Sequence, residues 1–285
     1  MSGAAKLTQA EKGRAFRALH EREGAFIIPN PWDAGSARLL AHLGFEALAT
    51  TSMGYAFSIG KLDTTLSRDE ALANASAIAS ATALPVSADL ENGYGDAPEI
   101  VAETIRLAGE AGVVGGSIED ASGRAEDPIY GLEHAIERVR AGVSAARALP
   151  FPFTLTARAE NYLHGRPDLR DTIRRLQAYQ EAGADVLYAP ALETKEDIAA
   201  VVSSVDRPVN VLMGLRGVQL NLAELSAIGV RRVSVGSSLC RAALGALLRG
   251  AREMRERGTF GFAAEAASSS EISVILEEWR GTSGR

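Results

Sequence analysis

The sequence predicts a (β/α)₈ TIM barrel, because short β-like runs alternate with helical runs eight times along the chain. The runs are AFIIPN (25–30), FEALATT (45–51), LPVSAD (84–89), VVGGSIED (113–120), PFTLTAR (152–158), ADVLYAP (184–190), PVNVLM (208–213) and VRRVSVG (230–236). In the joints HLGFEAL, EAGVVGG, EAGADVL and AIGVRRV, a glycine stands where a helix must turn into the next strand. A doubly wound sheet would alternate in the same way. However, no Gly-rich dinucleotide fingerprint follows the first run, and eight units favour the closed barrel.

Additional helices are expected around the barrel, within one domain that spans residues 1–285. Residues 1–24 predict an N-terminal helix, and SSLCRAALGALLRGAREMRERG predicts a long helix after the eighth strand. Residues 262–285 predict a C-terminal helix whose apolar stripe comprises Ile272, Val274, Ile275 and Leu276. The stripe must pack either on its own barrel or on a second subunit, and the sequence pattern leaves both alternatives open.

The composition favours a small-molecule partner over a macromolecular one. The 285 residues carry a net charge of -6, and lysine and arginine are scattered, which argues against nucleic acid or a membrane surface as the main partner. The single cysteine, Cys240, excludes an internal disulfide and a cysteine-based zinc site. Neither a signal-peptide core nor a membrane-length apolar run is present, so we expect a cytoplasmic protein.

Polar side chains follow the predicted strands at the end where barrel enzymes carry their active sites. They are Thr50, Thr51 and Ser52 after the second strand, Asp89 and Glu91 after the third, Glu119 and Asp120 after the fourth, Arg158 with Glu160 and Asn161 after the fifth, and Asn210 near the end of the seventh. Because the carboxyl ends of parallel strands meet at one mouth of a barrel, these side chains are expected to form one site.

Four of these residues, Asp89, Glu91, Glu119 and Asp120, are carboxylates on neighbouring strands. Like charges brought this close raise one another's pKa unless a cation lies among them. Oxygen ligands without histidine or cysteine select a hard ion, Mg²⁺ or Mn²⁺. The alternative is that such acids cap the following helices, as we expect of Asp96.

The fifth strand, FTLTAR, is expected to bring the guanidinium of Arg158 to the same mouth. A planar fork there suits a carboxylate or a developing enolate oxygen, and it also suits a salt bridge to a barrel carboxylate. None of the four lysines ends a strand, so a Schiff-base aldolase is disfavoured.

Four motifs, NPWDAGSARLLAHLGFEALATTS, ADLENGYGD, GGSIED and TARAEN, occur in an order and spacing that resembles the isocitrate lyase/phosphoenolpyruvate mutase superfamily. The resemblance covers nearly the whole chain. It implies a barrel whose eighth helix is commonly exchanged between subunits, giving homodimers and homotetramers. It also implies Mg²⁺ and an α-keto or 2-hydroxy acid substrate whose bond is cleaved next to an enolate.

The resemblance further implies roles for individual residues. Asp89 looks like the principal metal ligand, with Glu91 where the family usually has aspartate and Glu119 completing the set. The catalytic candidates are Arg158, Glu119 and Asp63, the last of which resembles the family's acid in the loop after strand two. The substrate-binding candidates are Thr51, Ser52 and Met53, which look like the segment whose backbone amides hold the substrate carboxylate, together with Arg158 and Asn210.

Departures from the family pattern narrow the expected reaction. The loop after strand four reads EDASGRAEDPIYGLEH and lacks the Lys-Lys-Cys-Gly-His segment of isocitrate lyases, which argues against that activity. We therefore predict a Mg²⁺-dependent lyase or decarboxylase of an oxaloacetate-like dicarboxylic acid. The alternatives are a methylisocitrate-type lyase, a phosphonopyruvate-type enzyme, a phosphosugar enzyme with SVGSSLCRAALG as its phosphate cradle, and a barrel that binds keto acids without catalysis.

Overall fold

Eight parallel strands form the centre of the computed structural model, which describes residues 7–215 and 217–279. The strands are β1 (Phe26–Ile28), β2 (Leu48–Ala49), β3 (Val86–Asp89), β4 (Gly115–Glu119), β5 (Thr154–Arg158), β6 (Val186–Tyr188), β7 (Val209–Leu212) and β8 (Arg232–Ser234). Each lies inside one of the eight predicted runs. The prediction of a (β/α)₈ barrel is confirmed, although the strands are shorter than the β-like runs that contain them.

Helices follow the strands and surround the barrel. They are α1 (Gln9–Glu21), α2 (Ala34–His42), α3 (Ser52–Ser58), α4 (Arg68–Ala81), α5 (Pro98–Glu110), α6 (Leu132–Ala148), α7 (Leu169–Glu181), α8 (Lys195–Ser203), α9 (Leu222–Ile228), α10 (Ser238–Arg257) and α11 (Ser269–Glu277), with a 3₁₀ helix at Gly261–Glu265. The glycines of the four joints all have positive φ angles, from 85° to 101°, as their position between helix and strand requires. Among the described residues, none of the helices is long and apolar enough to span a membrane.

The barrel closes between β1 and β2. The ladder runs in the order β1-β8-β7-β6-β5-β4-β3-β2, so the first and last strands of this order must meet. Across this seam the Ala49 amide donates to the Pro29 carbonyl at 3.1 Å, and the Asn30 side chain donates to the Thr50 carbonyl at 3.0 Å. The seam therefore depends on very few hydrogen bonds.

The first helix, α1, closes the amino-terminal end of the barrel. Phe16 is fully buried and packs with Phe26 and Val114, near the start of β1 and β4. Gly115, the first residue of β4, leaves room for this ring, because a Cβ there would lie 2.8 Å from Phe16. The end of the barrel opposite the predicted site is thereby filled.

The C-terminal region has two helical pieces where the sequence predicted one helix over residues 262–285. Helix α11 contacts α2 of its own chain, and the His42 ring lies 3.0 Å from Glu278, but no residue of α11 is buried and Val274 of the stripe is 65% exposed. In the long helix α10, all of whose residues the structure describes, only Cys240 and Gly250 are buried. Residues 1–6 and 280–285, which belong to the predicted terminal helices, lie outside the described residues.

A buried histidine in α1 joins this end of the barrel to its interior. His20 Nδ1 lies 2.8 Å from the Phe16 carbonyl, so it must carry the proton, which leaves Nε2 to accept from Arg232 Nη1 at 3.4 Å. Burial, and then the charge of Arg232, lower the pKa of His20 to about 3. The folded protein therefore requires a neutral imidazole.

We predict that His20 makes the free energy of unfolding depend on pH. Because its pKa is lowered on folding, the unfolded chain takes up a proton below pH 6.5 that the folded chain refuses. The stability contribution is complete above that pH and decreases as pH falls towards 3. Between pH 7 and pH 5 the loss should be about 2 kcal/mol.

Urea unfolding at several pH values measures this loss. The variant His20→Gln should show a shallower decrease than the wild type by that amount. Identical pH dependences for wild type and His20→Gln would contradict the assignment.

Candidate active site

A cavity of about 390 Å³ opens at the carboxyl ends of the strands. All nine residues predicted as catalytic, substrate-binding or metal-binding candidates line it, namely Thr51, Ser52, Met53, Asp63, Asp89, Glu91, Glu119, Arg158 and Asn210. Asn210, 1% exposed, lies deeper in the barrel than the strand-end residues, on β7. The structure therefore brings these nine residues together, whereas Asp120 and Asn161, which were also expected at this mouth, do not line the cavity.

Arg158 organises the acidic side chains of this cavity. Its Nη1 lies 2.9 Å from Glu119 Oε1 and 3.2 Å from Asp89 Oδ1, and its Nε lies 2.7 Å from Glu160 Oε1. Burial alone would lower the pKa of Arg158, but Glu119 and Glu160 raise it well above its ordinary value. The guanidinium is a fixed positive charge that contacts carboxylates from β3, β4 and the segment after β5.

Asp89 is held from the side of β2 as well. The Ser52 amide and hydroxyl donate to Asp89 Oδ2 at 3.0 and 2.9 Å, and the Asp89 amide donates to the Thr50 hydroxyl at 2.8 Å. Thr51 begins α3 as its N-cap, accepting from the Gly54 amide. The segment 50–52 therefore orients Asp89 and forms one wall of the cavity.

Burial and mutual repulsion raise the pKa values of the remaining acids. Burial, and then the charges of Asp89 and Asp63, raise the pKa of Glu91 to about 8. Burial raises the pKa of Glu119 well above its ordinary value, although Arg158 opposes the shift. Burial and then Asp89 also raise the pKa of Asp63. The single positive charge of Arg158 therefore does not balance the negative charges of the carboxylates in this cavity.

The residues present fit a hard divalent cation. Glu91 Oε1 is buried and has no hydrogen-bond partner, which is costly for a carboxylate oxygen unless a cation satisfies it. The donor atoms around it are carboxylate oxygens, the type that Mg²⁺ prefers. Within residues 7–215 and 217–279, however, no three histidine, cysteine or acidic side chains are already arranged as a metal cage.

Asp120 was expected to converge with the other acids, and that expectation is wrong. Side chains alternate along a strand, so when Glu119 faces the barrel interior its neighbour must face outward. Asp120 is 3% exposed and accepts from Arg175 Nη1 at 3.0 Å, the Tyr179 hydroxyl at 2.5 Å and the Glu160 amide at 2.8 Å. It anchors α7 and the segment after β5 behind the site.

Asp96 was expected to cap the next helix, and this also is wrong. The N-cap of α5 is Ala97, without a side-chain hydrogen bond. Asp96 instead accepts from the Tyr130 hydroxyl at 2.5 Å and from Arg124 Nη1 at 2.8 Å. It fastens the loop after β4 to the loop after β3, contacts between residues far apart in sequence that local capping rules do not include.

Two cavity residues, Tyr188 and Arg232, were not predicted as site residues, whereas Glu160 was expected at this mouth. Glu160, 1% exposed, pairs with Arg158, and the ring of Tyr188 lies 4.8 Å from the Arg158 guanidinium carbon. Arg232, the first residue of β8, also lines the cavity. For Arg232, the signal was a charged residue inside the β-like run VRRVSVG.

The amino-acid sequence is similar to that of known proteins along most of its length. The family model described as phosphoenolpyruvate phosphomutase matches residues 16–255. An oxaloacetate decarboxylase from Pseudomonas paraeruginosa is 30% identical over 273 residues, which is 93% of this chain and 92% of that protein.

Two solved structures extend the comparison. A protein from Burkholderia cenocepacia J2315, described provisionally as a lyase/mutase, is 64% identical, with a TM-score of 0.92 over 94% of this chain and 96% of that one. A phosphonopyruvate hydrolase in complex with oxalate and Mg²⁺ is 26% identical, with a TM-score of 0.84 over 96% of each chain.

We predict that Asp120 contributes to stability rather than to ligand binding. The variant Asp120→Ala leaves the buried guanidinium of Arg175 and the hydroxyl of Tyr179 without this acceptor, and should lower the free energy of unfolding by about 3 kcal/mol. Urea unfolding measures this change. Asp127→Ala, which removes an acid from the exposed part of the loop after β4, is the matched control and should behave as wild type. Equal stability of the two variants would refute the anchoring role.

Proposed function

We propose that this chain, which belongs to the phosphoenolpyruvate phosphomutase family, is a Mg²⁺-dependent lyase that cleaves a carbon–carbon bond next to an enolate in an oxaloacetate-like dicarboxylic acid. The family membership confirms the resemblance that the four motifs indicated, and it confirms an enzyme of the isocitrate lyase/phosphoenolpyruvate mutase type. The metal, the substrate and the residue roles are our proposal.

The observation that carries the proposal is the position of Arg158 among largely buried carboxylates at the carboxyl ends of β3, β4 and β5. A cation with its N–H groups fixed in this way is already oriented before a substrate arrives. An anionic oxygen that develops beside Arg158 during the reaction gains a strong interaction without rearrangement of the protein. Such preorganisation suits a reaction whose transition state resembles an enolate.

Asp89, Glu91 and Glu119 are the residues that we assign to the metal. Ser52 and Thr50 hold Asp89 in place, and Arg158 holds Glu119, so two of the three carboxylates already have fixed orientations. When bound, Mg²⁺ supplies Lewis acidity that stabilises negative charge on the substrate oxygens. The phosphonopyruvate hydrolase relative, whose structure contains oxalate and Mg²⁺, supports this assignment.

The substrate would lie between Arg158 and the segment 51–53, with Asp63 and Asn210 completing the polar wall. Asp63 lies in the loop between α3 and α4 and is about half-buried, so it can exclude water when that loop covers the ligand. The decarboxylase relative supports a keto dicarboxylic acid as the substrate class. The chain's own residues thus bind, orient and shield the ligand.

We predict that oxalate, a mimic of pyruvate enolate, binds tightly only with Mg²⁺ present. Ser52→Ala removes one hydrogen bond that orients Asp89 and should weaken this binding about tenfold, whereas Asp89→Ala should abolish it. Isothermal titration calorimetry, with and without Mg²⁺, measures both effects. Asp127→Ala is the control and should bind as wild type.

Turnover separates an enzyme from a barrel that only binds keto acids. Wild-type protein should consume oxaloacetate, with release of CO₂ or acetate, and Arg158→Ala should not. Metal-dependent oxalate binding without turnover of any keto acid would favour the non-catalytic alternative. Oxalate binding that is indifferent to Mg²⁺ would refute the metal assignment.

A second copy of this chain is the partner that we propose for α10. The helix projects Leu247, 65% exposed, and Leu248, 51% exposed, and it makes little contact with its own barrel. An apolar face of this kind on a long helix is typical of a subunit interface. A homodimer or homotetramer would cover it, as the family resemblance implies.

We predict that light scattering after size-exclusion chromatography will give the mass of a homo-oligomer. Leu247→Glu places a charge on the proposed interface and should shift the population towards monomer. Leu43→Glu is the matched control, because Leu43 is a similarly exposed leucine, 69% exposed, at the end of α2 and not on α10. A monomeric wild type, or an unchanged mass for Leu247→Glu, would contradict the interface.

A further inference from the structure

The strand register places a row of polar residues across five neighbouring strands. Glu119 of β4 is in register with Arg158 of β5, which is in register with Tyr188 of β6. Tyr188 is in register with Asn210 of β7, and Asn210 with Arg232 of β8. Register partners in a parallel sheet point to the same face, and here that face is the barrel interior. Because barrel strands are staggered, the row descends from the mouth at Glu119 towards the closed end at Arg232.

Arg232 lies at the lower end of this row and extends across the barrel interior. Its Nε donates to Asn210 Oδ1 at 2.9 Å, its Nη2 donates to the Thr156 hydroxyl at 3.0 Å, and its Nη1 lies 3.4 Å from His20 Nε2. Thr156 belongs to β5, so the guanidinium reaches from β8 to a strand three positions away. It forms part of the floor beneath Arg158.

All three acceptors of Arg232 are electrically neutral. His20 is held as the neutral tautomer by the Phe16 carbonyl, and Asn210 and Thr156 carry no charge. Among the residues that the structure describes, no carboxylate lies within salt-bridge distance of Arg232. Burial, and then the charge of Arg158, lower its pKa to about 10, although Tyr188 opposes the shift, so the side chain remains a cation at neutral pH.

A buried cation without an anion is energetically costly, and it creates a positive potential in the space above it. Arg232 is 5% exposed and lines the same cavity as Asp89 and Glu119. The upper part of the cavity is crowded with carboxylates, which Arg158 partly neutralises. The lower part has a free positive charge, so an anionic group of a ligand gains most at this end.

We propose that Arg232 is a specificity residue that selects substrates with a second carboxylate, which it binds at the floor of the cavity. This inference rests on the proposed function, because it takes the α-keto or 2-hydroxy acid end of the substrate to lie at Arg158. A buried guanidinium stabilises the negative charge of a paired carboxylate, and this interaction would be lost if the carboxylate left as neutral CO₂. Arg232 therefore favours cleavage of a bond that leaves this carboxylate on the product.

Two ligands that differ only in the second carboxylate test the proposal. Malate and 2-hydroxybutanoate share the same four-carbon chain and 2-hydroxy acid end, and malate replaces a terminal methyl with a carboxylate. In wild-type protein with Mg²⁺, malate should bind at least about tenfold more tightly, because charge-assisted hydrogen bonds to a buried cation are strong. Calorimetry measures both dissociation constants, with recovery of intact ligand as a check.

In Arg232→Gln, the preference for malate should disappear, and in Arg232→Lys, which keeps the charge, part of it should return. Arg231→Gln is the matched control, because the side chain of the neighbouring arginine donates to the Arg22 carbonyl, outside the cavity. Arg232→Gln is expected to fold, since its removal leaves no buried anion behind. Circular dichroism verifies this.

Each outcome decides the inference. A wild type without preference for malate overturns it, and this comparison needs no variant. A preference that persists in folded Arg232→Gln also overturns it. Oxalate, titrated in parallel, tests the proposed function separately. If oxalate fails to bind but an Arg232-dependent preference for malate remains, the lyase proposal fails and the selectivity of the floor stands.

Discussion

The pairing of one guanidinium with several carboxylates is the interaction on which the rest of the site depends. Arg158 contacts Glu119, Asp89 and Glu160, and without it these acids would repel one another in a poorly solvated cavity. The pairing also requires the carboxyl ends of β3, β4 and β5 to lie close together at one mouth, which a parallel barrel provides. The fold and the charge arrangement are therefore mutually dependent.

Behind the cavity, a second set of polar contacts supports the first. Asp120 accepts from Arg175 and Tyr179 of α7, and it also accepts from the amide of Glu160, the residue that pairs with Arg158. Asp120, which follows β4, thus fixes the backbone of Glu160, which follows β5. Two neighbouring strand ends are joined in this way behind the cavity.

The barrel and most of its site could be predicted from the sequence, because both follow from local patterns. Eight β-like runs and glycine joints define the strands, and polar residues at the strand ends define the cavity. The error at Asp120 was avoidable, since Glu119 and Asp120 are consecutive on a strand and cannot face the same side. The error at Asp96 was not, because Arg124 and Tyr130 reach it from another loop, and no local rule includes such contacts. Arg232 was overlooked because its inward orientation depends on the register of β8 with β7.

The seam between β1 and β2 has a mechanical consequence for the cavity. β2 is two residues long, and the backbone bond that we find to its neighbour joins Ala49 to Pro29. Elastic compliance of the barrel is therefore concentrated at this seam, whereas the ladder from β3 to β8 is stiff. The segment 50–52, which begins where β2 ends, can adjust to ligands of different size by a small movement that carries the hydrogen-bonded side chain of Asp89 with it, while Arg158 and the floor keep their positions.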